Sequence, residues 1–182
     1  MVIDAVVSLP LVLPPTVLGF YILVILSPNY FAGGFLKSNL NITLIFNFMG
    51  ILFASCIASF PFIFQQIKSG VDNFEKQLIE SSYILGKSKF QTFIRVIIPN
   101  IKSSIISGVV TCFAHTLGEF GVVLMIGGNI PGKTKVASIA IYEKVEELDF
   151  SSANKYSIIL LLISFTVLLS VQILNRKRRA LA

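Results

Sequence analysis

Long apolar stretches alternate with short polar ones along the whole chain. A helix needs about 20 mostly apolar residues to cross a bilayer, at about 1.5 Å rise per residue. Four stretches meet that requirement, at residues 4–26, 42–64, 101–126 and 157–174. The third could also be a buried helix of a soluble core, but three other long apolar stretches accompany it. The pattern predicts an all-α, polytopic membrane protein in which residues 1–182 form one transmembrane domain.

Composition supports this interpretation. Hydrophobic residues make up 54% of the chain and charged residues 13%, whereas a soluble domain usually has about 25% charged residues. Met1 is followed by Val-Ile-Asp rather than by a basic segment, and no small-residue cleavage site follows the first apolar stretch. We therefore expect that stretch to remain as a span rather than to be removed as a signal peptide.

Basic residues set the predicted orientation, because Lys and Arg near span ends favour the cytoplasmic side. They are frequent in the connection between the second and third stretches and in the tail NRKRRALA, whereas residues 127–156 mix them with acidic residues and residues 27–41 contain only Lys37. Both chain ends and the connection 65–99 are therefore predicted to be cytoplasmic. The net charge of +6 is explained by this topology, and nucleic acid is not predicted as a partner.

The connection 65–99 has the pattern of two short amphipathic helices separated by a glycine. Asp72 and Glu75 resemble a capping box that starts the first helix, and Gly86 is suited to end it. A second capping box precedes a second apolar stripe that runs to a proline; its residues are Ser88, Gln91, Phe90, Phe93, Ile94, Ile97 and Pro99.

Small residues on the first helix distinguish two interpretations of this hairpin. A helix lying on lipid headgroups favours bulky apolar side chains, but the stripe carries Ser81 and Ser82. Small side chains suit the close approach of another protein, so a protein-facing surface is predicted and a lipid-facing one is the alternative.

Residues 80–99 resemble the cytoplasmic signature of bacterial ABC-importer permeases, which reads E-A-A, three residues, G, nine residues, I-x-L-P. Ser-Ser replaces Ala-Ala here, and the matching positions are Glu80, Ser81, Ser82, Gly86 and Pro99. In that family the loop forms coupling helices that dock into a groove of a separate ATPase subunit. The resemblance implies that these positions couple this chain to an ABC ATPase.

Three other stretches resemble the permeases of molybdate importers, and the resemblance covers nearly the whole chain. They are LPLVLPPTVLGF at 9–20, TLGEFG at 116–121 and GGNIPGKT at 127–134. Sulfate permeases, which more often have GEYG, and tungstate permeases are similar and remain alternatives. The resemblance implies a homodimer in the bacterial cytoplasmic membrane that receives an oxyanion from an extracytoplasmic binding protein. Because such permeases ordinarily have a further span before LPLVLPP, we expect either a missing N-terminal span or an abbreviated family member.

Helix-disturbing and small residues mark two of the spans. Pro10, Pro14 and Pro15 each remove a backbone donor and are predicted to bend the first span, either as a packing kink or as part of a pathway. Ser104 and Gly108 in the third span fit the small-xxx-small pattern of closely packed helices.

The outer part of the third span contains the candidate path or gate residues Gly118, Glu119, Phe120 and Gly121. A carboxylate facing lipid is costly, so Glu119 is predicted to turn into the bundle, with a side chain reaching out to water as the alternative. An oxyanion would be repelled by it, so it is not predicted to bind substrate. Its partner is predicted to be His115, one turn earlier, or a basic residue beyond the span.

Catalytic and metal-binding patterns do not occur in the sequence. It has no phosphate-binding G-x-x-x-x-G-K-[ST], no H-E-x-x-H and no G-x-S-x-G. Cys56 and Cys112 are interpreted as small core residues, so no enzyme activity, cofactor or metal is predicted. A secondary transporter and a non-transporting membrane assembly protein remain the rival interpretations.

Overall fold

The computed structural model describes the backbone of residues 2–179 and the side chains of residues 2–173. Within that part of the chain no strand occurs, so the all-α prediction is confirmed. A π-helical turn, Phe93–Ile97, lies between α6 and α7. The α-helices are α1 (Val2–Val12), α2 (Pro15–Leu26), α3 (Phe31–Leu40), α4 (Phe48–Asp72), α5 (Lys76–Ile84), α6 (Lys89–Thr92), α7 (Ile98–Asn100), α8 (Lys102–Gly118), α9 (Gly121–Gly127), α10 (Ala137–Glu146) and α11 (Phe150–Arg179).

Two helices are long and apolar enough to cross a bilayer unbroken, namely α4 and the portion Phe150–Ile173 of α11. Two bent pairs qualify when each is counted as one span: α1 with α2, bent by 111°, and Lys89–Asn100 with α8, bent by 65°. By length and composition, the described residues contain two unbroken spans, or up to four if both bent pairs cross. The polytopic helical architecture is confirmed, and the predicted number of four spans is reached when each bent pair is counted as one span.

The first predicted span, 4–26, is broken rather than continuous. The break separates α1 from α2, and Pro14 and Pro15 form the start of the second helix. A proline is tolerated in the first turn of a helix, because a backbone N–H at that position would have no partner within the helix. Pro10 lies inside α1, so the sharp turn occurs at the Pro14-Pro15 pair.

The third predicted span, 101–126, is also interrupted. Helix α8 ends at Gly118, Glu119 has an extended backbone with φ −68° and ψ 125°, and α9 begins at Gly121. The apolar pattern continues across this break because α9 is itself largely buried. Hydrophobicity therefore indicates one segment where the backbone forms two.

The second predicted span begins later and ends later than expected. Residues 42–47 precede α4 as a loop, in which the backbone N–H of Phe46 donates to the carbonyl of Ile126 (2.8 Å). Helix α4 then continues to Asp72, so residues 65–72 belong to the span helix rather than to the connection 65–99, the predicted coupling loop. The predicted capping box of Asp72 and Glu75 is wrong, since Glu75 precedes α5 without a side-chain cap. The fourth predicted span, 157–174, lies within α11.

The core is built around α4. It packs closely on α8, where a Cβ on Gly108 would lie 2.9 Å from Ile63 and one on Gly70 would lie 2.5 Å from Ser104. The prediction of close packing at Ser104 and Gly108 is confirmed. A buried cluster joins α2, α4 and α9 through Leu18, Ile22, Leu26, Ala54, Ala58, Val122 and Ile126.

Neither cysteine belongs to the buried core. Cys56 is exposed and Cys112 is half-buried, so the interpretation of both as core residues is wrong.

An ion pair joins the first helix to α4. The Asp4 carboxylate accepts a hydrogen bond from the Lys68 ammonium (2.8 Å). This contact brings the start of α1 to the end of α4 that leads into the coupling loop.

Candidate coupling hairpin and candidate gate

The predicted helix-glycine-helix hairpin is present. Gly86 follows α5 with φ +71°, a left-handed conformation that glycine adopts without steric cost, and its N–H donates to the carbonyl of Tyr83 (2.9 Å). The second capping box is confirmed, because the Ser88 hydroxyl accepts from the Gln91 N–H (3.3 Å) and the Gln91 side chain accepts from the Ser88 N–H (3.2 Å).

Ser82 lies inside the hairpin rather than on its outer surface. Its hydroxyl is 2.8 Å from that of Thr92, and the two residues are 5% and 0% exposed. The prediction that Ser82 faces another protein is therefore wrong, because the second helix of the same hairpin occupies that face. Ser81 and Glu80 are exposed, and the large exposed side chains of the hairpin include Tyr83, Ile84, Leu85, Phe90 and Phe93.

The second half of the hairpin leads directly into α8. The helical path from Lys89 continues through Pro99 to Asn100 rather than ending before the proline. The wide π-helical turn accommodates the proline ring, and the Asn100 amide donates to the Val96 carbonyl (2.7 Å). Buried Ile101 alone separates this segment from α8. The hairpin and α8 are therefore joined through a single residue.

Glu119 lies at the break between α8 and α9 and is 7% exposed. Its carboxylate accepts the N–H of Val122 (3.2 Å) and so caps α9, and its backbone carbonyl accepts the Ser138 hydroxyl of α10 (2.8 Å). His115 Nε2 is 3.7 Å from Glu119 Oε2, so His115 is the predicted partner that the structure supports. The alternative of a side chain reaching out to water is wrong, because the protein itself surrounds this carboxylate.

The remaining predicted gate residues have different environments. Gly121 meets the start of α2, since a Cβ there would lie 2.8 Å from Pro15 Cβ. Phe120 contacts the ring of Tyr142, with centroids 4.8 Å apart, and a Cβ on Gly118 would meet nothing within 4 Å. The break between α8 and α9 therefore touches the break between α1 and α2. Paired discontinuous helices of this kind are typical of transport pathways in membrane proteins.

A cavity of about 210 Å³ adjoins the break. It is mostly apolar, but its lining includes Ser55, Thr116, Glu119 and Ser138. The Ser55 hydroxyl is buried without a hydrogen-bond partner in the described part of the chain. The described residues contain no group of three or more His, Cys, Asp or Glu side chains that could hold a metal ion.

Sequence reasoning missed the polar residues that surround the gate on other helices. Ser59 and Ser138 both contact the α8 end, from α4 and α10 respectively. Ser55 and Ser59 are one turn apart in the apolar part of α4, and that spacing was the available signal for a shared polar face. Ser138 had no comparable signal.

Comparison with known proteins identifies the family of this chain. The family described as the inner membrane component of binding-protein-dependent transport systems matches residues 1–180. The chain belongs to this family. The resemblance to ABC-importer permeases is therefore confirmed, and the protein is a membrane transport permease.

Relatives of this permease are named for different transport systems. It is 39% identical over 180 residues to the molybdenum transport system permease protein ModB of Azotobacter vinelandii, covering 99% of this chain and 80% of that relative. It is 35% identical to a probable sulfate transport system permease protein cysT of Nephroselmis olivacea, covering 96% and 62%. It is 36% identical to a probable transport system permease protein NifC of Clostridium pasteurianum, covering 94% and 59%. The permease thus spans about three fifths of the length of the last two.

The contact between the two helix breaks gives a testable prediction for this permease. Gly121→Ala would place a methyl group against the Pro15 backbone, 3.2 Å from its carbonyl carbon, so we expect destabilisation of about 1–3 kcal/mol from overpacking. Gly118→Ala is the matched control, since open space surrounds that position. The measurement is the thermal unfolding midpoint of each purified variant in detergent. Equal midpoints for both variants would contradict the packing of α9 on α2.

Proposed function

We propose that the chain is the membrane-spanning subunit of an ATP-driven importer that carries molybdate across the bacterial cytoplasmic membrane by alternating access. The observation that carries this proposal is the hairpin of α5 and α6, which continues through Pro99 and Ile101 into α8. A separate ABC ATPase hydrolyses ATP and binds the exposed hairpin surface. Closure of the ATPase displaces the hairpin, and α8 transmits the displacement to the gate at Glu119.

The coupling role includes Glu80, Ser81, Ser82, Gly86 and Pro99. Glu80 and Ser81 are exposed and available for contact with the ATPase. Ser82 and Gly86 act indirectly, because one holds the two helices together and the other forms the turn. Pro99 lies in α7, between the π-helical turn and α8.

The path or gate role belongs to Gly118, Glu119, Phe120 and Gly121. Glu119 holds the break in one conformation by capping α9 and by accepting from Ser138. Its negative charge disfavours direct binding of an oxyanion, so it organises the gate and does not bind the substrate.

The importer needs further components. An extracytoplasmic binding protein delivers the oxyanion, and a second copy of this chain completes the pathway. The apolar side chains of α11 up to Ile173 are largely exposed in the single chain, for example Leu161 at 64% and Phe165 at 60%. Lipid and the second copy together cover such a surface.

Both chain ends are proposed to be cytoplasmic. The basic residues of the hairpin and of the tail support this orientation, and so does the contact of Asp4 with Lys68 near the hairpin end of α4.

We expect a reporter fused after Ala182 to be inactive if it requires export and active if it requires the cytoplasm. An active exported reporter would contradict the orientation. Residue Ala182 itself lies outside the described residues.

Molybdate is the proposed substrate, and sulfate is the second candidate. The higher identity to the molybdenum permease favours molybdate, and the relatives named as sulfate permeases favour sulfate. We expect molybdate, with tungstate competing, to stimulate ATP hydrolysis by the complex reconstituted with its ATPase and binding protein. Stimulation by sulfate without stimulation by molybdate would reverse this assignment. Hydrolysis that no oxyanion stimulates would contradict the importer proposal itself.

A further inference from the structure

Ser59 is a fully buried polar residue near the middle of α4, with 0% exposure. Its hydroxyl oxygen is 3.3 Å from Nδ1 of His115 and 2.8 Å from the hydroxyl oxygen of Thr116. The opposite ring nitrogen of His115 faces the Glu119 carboxylate at 3.7 Å, and the ring contacts that of Phe62 in a tilted arrangement with centroids 4.4 Å apart. The imidazole is thus held between α4 and the helix break.

The hydroxyl groups of Ser59 and Thr116 can provide a hydrogen-bond partner for Nδ1 of His115 in both protonation states of the ring. In the neutral ring, a proton on Nε2 faces the carboxylate, so Nδ1 accepts from Ser59 and Ser59 accepts from Thr116. In the protonated ring, Nδ1 donates to Ser59, Ser59 donates to Thr116, and Thr116 donates to the Cys112 carbonyl, which is 3.0 Å away. Reversing two hydroxyl protons therefore keeps Nδ1, Ser59 and Thr116 paired when a proton from water binds Nδ1.

We infer that Ser59 is a positioning residue that orients His115 toward Glu119, so that protonation of His115 stabilises the conformation of the helix break that the structure shows. This inference rests on the proposed role of the break as a gate. The imidazolium attracts the carboxylate more strongly than the neutral ring does, and Glu119 is the residue that joins α8, α9 and α10 at this point. Opening of the break should therefore become easier as pH rises.

Glu119 is the one ionisable group within ion-pair distance of the ring among the described residues. The elements packed on α8 are α4, α7, α10 and α11. Lys68 on α4 pairs with Asp4, and Glu143 and Lys144 on α10 pair with Lys135 and Glu147. The other ionisable groups on these elements and on α8 itself, within the described side chains, are Cys56, Asp72, Tyr142, Glu146, Lys155, Tyr156, Lys102 and Cys112.

A cysteine reporter at position 118 can test this inference without transport. Gly118→Cys adds a side chain where a Cβ meets nothing within 4 Å, in a background in which Cys56 and Cys112 are replaced by Ser and Ala. The full complex in proteoliposomes is labelled with a membrane-impermeant thiol reagent between about pH 5 and 8, the range in which imidazole ordinarily titrates. The Gly118→Cys protein with native Ser59 and His115 is the parent. At each pH, the labelling rate is divided by the rate of the same protein that also carries His115→Gln. This division cancels the pH dependence of the thiol reaction.

We expect the relative labelling rate of the parent to rise about two- to fivefold from the acid to the alkaline end, the size typical of a partly exposed ion pair. Ser59→Ala should flatten this rise. Ser55→Ala, which removes the same atoms from the same helix one turn away, should keep the parent profile.

Two outcomes would overturn the inference. A parent profile that matches His115→Gln would exclude the pH-responsive link, and a Ser59→Ala profile that matches the parent would exclude the positioning role of Ser59. Either result leaves the importer proposal intact, because substrate-stimulated ATP hydrolysis of the parent complex is measured separately.

Discussion

The Ser82→Leu variant should lose most of its association with the ATPase subunit. Its larger side chain must fit where Ser82 and Thr92 are 5% and 0% exposed, and overpacking of this kind typically costs about 1–3 kcal/mol. Thr92 also loses its 2.8 Å partner, which adds a cost of about 1–3 kcal/mol for a buried unpaired group. Two short helices have little other stability, so the hairpin should open and weaken docking at least about fivefold.

Copurification of the ATPase with each hairpin variant measures this effect, and limited proteolysis reports whether the hairpin is folded. Ser81→Leu is the matched control for bulk, because the neighbouring Ser81 is exposed. It should leave the hairpin resistant to protease, whereas Ser82→Leu should not. Wild-type ATPase association by Ser82→Leu, despite an opened hairpin, would exclude this segment as the coupling element.

Gly86 offers an independent variant of the same hairpin. Its φ of +71° strains a β-branched side chain, although a Cβ there would meet nothing within 4 Å. Gly86→Val should therefore weaken ATPase association, and Gly86→Asn should be tolerated because asparagine enters the left-handed region more readily. Equal behaviour of the two variants would show that the backbone conformation of this turn is unimportant for docking.

The Glu119→Ala variant should lose uptake while it keeps its ATPase. Removing the carboxylate leaves the buried N–H of Val122 without its 3.2 Å acceptor, and loss of a helix cap costs about 0.5–2 kcal/mol. It also removes the group that faces His115. Glu119→Gln should be milder for α9, because the amide oxygen can still accept from Val122.

Substrate uptake and substrate-independent ATP hydrolysis by the reconstituted complex measure the consequence at the gate. An intact gate keeps hydrolysis dependent on substrate, so we expect uncoupled hydrolysis in Glu119→Ala. Glu147→Gln is the matched control, since that exposed carboxylate pairs only with Lys144 in the described part of the chain and such pairs contribute little. Unchanged coupled uptake by Glu119→Ala would exclude Glu119 from the gate.

Local chemistry was sufficient to predict the hairpin turn and the helical class. Gly86 and the Ser88-Gln91 capping box satisfy backbone groups a few residues away, so their effect can be deduced without knowledge of the fold. Apolar stretches of sufficient length likewise predict helices, because a bilayer leaves few other ways to satisfy the backbone. These features were confirmed.

Contacts between distant parts of the chain decided the remaining features. The break at Glu119 depends on Ser138 and on the packing of Gly121 against Pro15, and the apolar pattern is the same with or without the break. The sequence pattern assigned the face of Ser82 to a partner protein. Hydrophobic periodicity indicates that a helix face is covered, but it does not identify the residues that cover it.

The sequence by itself therefore determined the helical membrane class, the glycine turn and the family signature, all of which depend on composition or on neighbours within a few residues. The tertiary structure alone decided where the spans break, that Thr92 covers Ser82, and that Ser59 contacts His115. Ser59 and His115 are 56 residues apart. Such a contact exists only once α4 and α8 have packed together, which is why no local pattern could predict it.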